Sequence, residues 1–256
     1  MESAGAGQEV TAASSVVVAE LAPTGRLRAA INFDNPLLAS KDAASGEPGG
    51  VSVELARELA RRLGLAIEYV PYFAAGKVIE GVKAGVWDIC FLAIDPVRAQ
   101  QVLFTAPYVV IEGAYLVTEG SPIRDNAEVD RPGVRLVVST GSAYDLFLSR
   151  TIRHATIVRT AAAKDVVDVY VAQKLDVAAG VRPALEADAR RVPGLRLLPG
   201  RFMVIHQAMG TPRGRDLAAR YLHTFIEEMK ASGFVASSLA RNRVEGATVA
   251  PAGAPT

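Results

Sequence analysis

One cysteine, Cys90, stands in 256 residues, so no intrachain disulfide can form. It lies in an apolar run, where a small core residue is the reading rather than a reactive thiol. Aromatic residues make up only 6% of the chain. Neither sign of charge is in excess: 28 Lys and Arg against 27 Asp and Glu leave a formal net charge of +1. That balance gives no basic field for nucleic acid or an anionic membrane, and neither partner is expected. No apolar stretch reaches the ~18 residues of a membrane span. Met1 to Glu9 carries no Lys or Arg, and the nearby apolar run Val16–Ala19 is short, so no signal peptide is legible. Signatures of common chemistry are missing as well. Gly76-Lys77 lacks the glycine spacing of a phosphate loop. There is no His-Glu-x-x-His, no cysteine-rich zinc site and no Gly-x-Ser-x-Gly elbow. No metal or cofactor is expected.

What is present is a globular pattern. Hydrophobic residues make up 50% and charged residues 21%, which excludes wholesale disorder. A chain this long buries roughly 70–75% of its unfolded surface and needs no staple. Strand-like and helix-like segments alternate: strands at 27–31, 65–70, 88–93, 134–139, 156–159 and 177–180, and helices at 52–63, 78–83, 162–172, 184–191 and 216–232. Ser52 is read as a helix cap. Leu217, Tyr221, Leu222, Phe225 and Met229 form the expected buried stripe of the last long helix. Such alternation implies an α/β fold of mainly parallel sheets covered by helices, with ligands at the carboxyl ends of the strands. Residues 1–24 are expected to be disordered or extended, and 245–256 a disordered tail.

The stretch Asp88-Ile89-Cys90-Phe91-Leu92-Ala93-Ile94-Asp95-Pro96-Val97-Arg98, followed by Phe104-Thr105-Ala106-Pro107-Tyr108, carries a resemblance. It is similar to the family-3 extracellular solute-binding proteins, the periplasmic amino-acid-binding proteins of ABC importers. Gly50-Val51-Ser52-Val53-Glu54-Leu55-Ala56, Gln173-Lys174-Leu175-Asp176-Val177 and Ala231-Ser232-Gly233-Phe234 match other elements of that pattern in order. The resemblance covers about residues 25–240. It implies a type II periplasmic-binding fold: two α/β lobes, 25–112 plus 206–244 and 113–205, joined by two crossing segments. A monomer working in the periplasm with an ABC permease is implied. A dehydratase similar to the cyclohexadienyl dehydratases, or a soluble metabolite sensor, is the alternative on the same scaffold.

Candidate site residues follow from the same resemblance. Arg98 would grip a carboxylate through paired charge-assisted hydrogen bonds that Lys cannot reproduce. Ser142 and Ala143, after Gly141, open a helix whose free N–H groups favour an anion. Asn32, Phe33 and Asn35 follow the first strand, and Phe73 the second. Phe91, Ala93 and Gln207 complete the expected wall. Relatives place Ser or Thr where Ala93 stands, and an Asp for the ligand ammonium where Val181 stands. Val cannot hold a cation, so organic acids are expected to bind at least as well as the matching α-amino acids. Asp34, Asp95, Glu112 and Asp145 are the acids open to a catalytic role. Glu112 is open equally to a cationic ligand group or a hinge salt bridge.

Overall fold

The structure is a computed structural model and describes residues 14–253. The first part of the chain forms α1 (Ser15–Leu21), β1 (Arg26–Asn32), a small hairpin of β2 (Ser40–Lys41) and β3 (Pro48–Gly49), α2 (Val51–Leu63), β4 (Ala66–Tyr72), α3 (Ala75–Ala84) and β5 (Ile89–Ala93). A long strand, β6 (Val102–Thr118), leads into β7 (Arg135–Ser139), α4 (Ala143–Thr151), β8 (Thr156–Thr160), α5 (Val166–Ala172), β9 (Val177–Val181) and α6 (Arg182–Arg191). The chain closes with β10 (Leu195–Leu197), β11 (Met203–Pro212), α7 (Asp216–Ala231), α8 (Phe234–Arg241) and β12 (Ala247–Val249).

The expected α/β architecture is present. One sheet runs in the order β4-β1-β5-β11-β6-β9-β7-β8. Its flanks are parallel: β4, β1 and β5 on one side, β9, β7 and β8 on the other. The two crossing strands between them are antiparallel. β11 pairs with β5 and with β6, while the far end of β6 pairs with β9. The β5 segment is buried at every position, as a central strand covered on both faces requires. Cys90 lies wholly within it, and burial pushes its thiol up to about 12, so it is inert at neutral pH.

Helix starts and ends follow local chemistry, with two departures from the sequence expectation. Gly50, not Ser52, caps α2. Its φ of +98° and the close Leu38 carbonyl leave no room for a side chain. Ser52 then sits inside the first turn, its hydroxyl 3.2 Å from the Tyr108 hydroxyl. In α7 the buried stripe is Ala218, Leu222, Phe225, Ile226 and Met229, whereas Leu217 is 38% exposed. The apolar arc is turned toward Ala218 because α1 packs there. Glu20 accepts a hydrogen bond from the Ala218 N–H and so caps the first turn of α7.

Both ends carry order that composition did not signal. Of the segment 1–24, residues 1–13 lie outside the described residues, but Ser15–Leu21 form α1, with Leu21 fully buried. Of the tail expected to be disordered, Ala247–Val249 pair antiparallel with Val109–Ile111 of β6, and Ala250 is buried. The available edge of β6 supplies the hydrogen bonds that the small-residue sequence does not advertise. Residues 254–256 lie outside the described residues.

Candidate functional site

Three of the candidate residues are the last residues of parallel strands: Asn32 ends β1, Ala93 ends β5 and Val181 ends β9. All point toward one crevice because the two parallel flanks present their carboxyl ends to each other. Nine of the eleven candidates line a single small cavity of about 70 Å3 there. They are Asn32, Asn35, Phe91, Ala93 and Arg98 from the β1–β5 side, Ser142, Ala143 and Val181 from the β7–β9 side, and Gln207 from β11. Phe33 and Phe73 are not in it. They line an adjoining chamber of about 520 Å3. Their rings stack at 5.9 Å, Lys41 Nζ lies 5.0 and 5.3 Å from their centroids, and Phe73 is 62% exposed.

Arg98 reaches the cavity from a 3-10 turn that Asp95 organises. The Asp95 carboxylate accepts the Val97 N–H at 2.8 Å, and its carbonyl accepts the Ala99 N–H. The other Asp95 oxygen pairs with Arg150 of α4 at 2.7 Å. Arg98 itself is 2% exposed. It donates to the Ala93 carbonyl at 3.0 Å and, across the crevice, to the Gly141 carbonyl at 2.8 Å. Those bonds use two of its five N–H donors, and the buried Nε has no partner. Burial pulls the guanidinium down to about 10, which leaves it charged at neutral pH. The result is a desolvated cation with spare donors in the wall of a cavity.

The opposite wall is the start of α4. The Ser142 hydroxyl accepts the Asp145 N–H, and the Asp145 carboxylate accepts the Gly141 N–H at 2.8 Å. This reciprocal cap commits both side chains. Asp145 also receives Ser149 and Arg159. Gly141 has φ +68°, and a Cβ built on it would stand 3.1 Å from the Gly76 Cα of α3. Gly141→Ala is therefore expected to cost about 1–2 kcal/mol from the left-handed backbone alone. It is also expected to hold the α3 and α4 ends further apart. Small-angle scattering should show a larger radius of gyration, and a curve identical to wild type would show that this contact does not set the separation.

Two further acids resolve differently. Glu112 pairs with Arg182 at 2.9 Å and Arg201 at 2.8 Å, and both hold its carboxyl below the usual range. It lies outside the cavity lining, so the salt-bridge role is the one the structure shows. Asp34 lines both the small cavity and the larger chamber. It accepts the Ala163 N–H at 2.9 Å from across the crevice, and burial raises its carboxyl above the usual range. Sequence reasoning named Asp34 only as one of four acids. Its position two residues after the end of β1 was the available signal. His206 is half-buried outside the cavity, and exposed His223 accepts the Ala106 N–H, so neither reaches a ligand position.

Comparison with known proteins was consistent with this geometry. The profile of the bacterial extracellular solute-binding proteins, family 3, matches residues 27–241. A solute receptor for L-cysteine from Neisseria gonorrhoeae superposes with a TM-score of 0.75 at 22% identity, over 90% of this chain and 93% of that one. A putative ABC-transporter binding component from Wolinella succinogenes, complexed with lysine, gives 0.73 at 22% identity, over 85% and 95%. At these identities the likeness shows the fold, that of type II periplasmic binding proteins. A curated relative, membrane-bound lytic murein transglycosylase F of Idiomarina loihiensis, is 27% identical over 199 residues. The match spans 73% of this chain and 43% of that protein's length, less than half of it.

Proposed function

The chain belongs to the bacterial extracellular solute-binding proteins, family 3, and from that membership we propose that it captures a small carboxylate-bearing ligand, an amino acid or organic acid, between two closing lobes for ABC-type import. The observation that carries this reading is Arg98. A buried guanidinium with an unpartnered Nε, in a cavity at the carboxyl ends of parallel strands, is built for an anion. The start of α4 faces it and adds partial positive charge. The proposed lobes are 25–112 with 206–244, and 113–205, hinged where β6 and β11 cross. Family-3 proteins work outside the cytoplasm. We place this one in the periplasm as a monomer delivering to a permease. No helix among the described residues is long and apolar enough to cross a membrane.

A dehydratase on this scaffold needs a cavity acid free to move a proton. Asp95, Glu112 and Asp145 are held in ion pairs. Only Asp34 among these four faces the cavity without one, so turnover would have to rest on it. Incubation with prephenate or arogenate is expected to return the substrate unchanged.

The decisive experiment is native mass spectrometry of freshly purified protein, followed by thermal shift with the recovered compound. At 100 times its dissociation constant a ligand stabilises the native state by about 2.7 kcal/mol. For a chain of this size that is a rise in melting temperature of roughly 5–10 °C. A panel of carboxylates that leaves the melting curve unmoved, with no retained ligand, would refute the reading.

A further inference from the structure

The small cavity and the larger chamber adjoin, with Asp34, Tyr144, Ala163 and Val181 in the lining of both, the small one charged and the larger one mainly apolar. The small cavity holds opposite charges that do not pair with each other. Arg98 supplies the cation and an unpartnered donor at Nε. Asp34 supplies the anion. The one protein hydrogen bond that its carboxylate accepts among the described residues comes from the Ala163 N–H, at Oδ1. Lys164 and Asp165 lie near it, one of each sign, and neither forms an ion pair with it. Asn35 adds a buried carbonyl oxygen, Oδ1, that has no donor. A guanidinium and a carboxylate that each lack a direct ion-pair partner among the described residues, in the lining of one cavity, are complementary to a zwitterion.

The outer chamber decides the rest of the ligand. Phe33, Val166, Val167, Val181, Ala184 and Leu185 line it, and its volume falls in the range of small-molecule sites. Besides Asp34 at its inner boundary, its charged residues are Lys164 and Asp188, of opposite sign. A ligand's polar side chain would find few partners there, and an apolar one would gain about 25 cal/mol for each Å2 removed from water.

We infer that the site takes an amino acid with an apolar side chain, and that Asp34 binds its ammonium from the β1 side while Arg98 binds its carboxylate. This rests on the carboxylate-binding reading above and adds the cation and the apolar tail. The absence of an acid at Val181 is then met from the other wall of the crevice, which reverses the expectation from sequence that organic acids bind at least as well as the matching amino acids. Burial already holds the Asp34 carboxyl above the usual range, and an ammonium beside it would favour its ionised form.

The test uses the full chain and calorimetry with L-leucine, its 2-oxo counterpart 4-methyl-2-oxopentanoate, and glycine. L-Leucine should bind at least about 10-fold tighter than either of the others. Asp34→Asn keeps an acceptor for the Ala163 N–H, so the fold should persist. It should weaken L-leucine by about 30-fold or more and leave the oxo acid within about 3-fold. Ala184→Phe, which fills the chamber, should weaken L-leucine and spare glycine. Equal binding of leucine and the oxo acid, or an unchanged leucine affinity in Asp34→Asn, overturns the inference while leaving carboxylate binding intact. If none of the three binds at millimolar concentration, the inference is also overturned, and only recovery of another carboxylate by mass spectrometry would keep the broader reading.

Discussion

Arg98→Met is expected to lower the affinity for carboxylate ligands by roughly 30-fold to several-thousand-fold, the equivalent of about 2–5 kcal/mol. Methionine keeps much of the volume and removes every donor. The ligand carboxylate would then be desolvated with no cation opposite it, which is where the large loss arises. Stability should respond far less. The guanidinium is fully buried without a direct carboxylate partner among the described residues, so its removal relieves a desolvation penalty. Against that stand the Ala93 and Gly141 carbonyls, which lose their donor. Calorimetry on the ligand recovered from the protein measures the first effect and thermal melting the second. Unchanged affinity would remove Arg98 from the site. A melting temperature that falls by more than about 10 °C would mean that Arg98 acts mainly as a strut between the two flanks.

The largest loss of stability is expected at Asp88, outside the cavity. Its side chain is fully buried. One oxygen accepts the backbone N–H of Arg28 and that residue's Nε, and the other pairs with Arg28 at 2.8 Å and Arg215 at 2.9 Å. Its carbonyl accepts the Thr211 hydroxyl. One carboxylate thus binds the start of β1, the approach to β5 and the segment before α7. Asp88→Ala leaves two mostly buried guanidinium groups and a backbone N–H unpaired. A loss of about 3 kcal/mol is expected. For this chain that is a fall in melting temperature of about 6–12 °C. Asp88→Asn keeps an acceptor and should lose less. Equal losses in the two variants would show that charge, rather than hydrogen bonding, dominates. No loss in either would refute the assignment.

Asp88 also shows what sequence could and could not say. The motif from Asp88 to Tyr108 was legible as a unit, and so was the strand-helix alternation around it, because each segment carries its own period and stop. α2 shows this well: Leu55, Ala56, Leu59 and Ala60 mark the buried face, and Gly64, at φ +65°, ends it. The lining of the cavity by Asn32, Ala93 and Val181 was within reach too, since strand ends are local and the flanks are parallel. The role of Asp88 as the node of a two-arginine network was not. Its partners lie 60 and 127 residues away.

Local pattern therefore determined the element types, the parallel flanks and the strand-end address of the site. Only the tertiary structure decided three other things. It turned α7 so that Ala218 faces inward and Leu217 outward, because α1 docks on that side. It recruited Ala247–Val249 as a strand, because β6 offered an open edge. It placed Asp34 and Arg98 in one space, because two loops that follow neighbouring strands converge there. In each case the governing energy is a contact between residues far apart in the chain. The periodicity, capping and turn chemistry of a segment carry no information about such a partner.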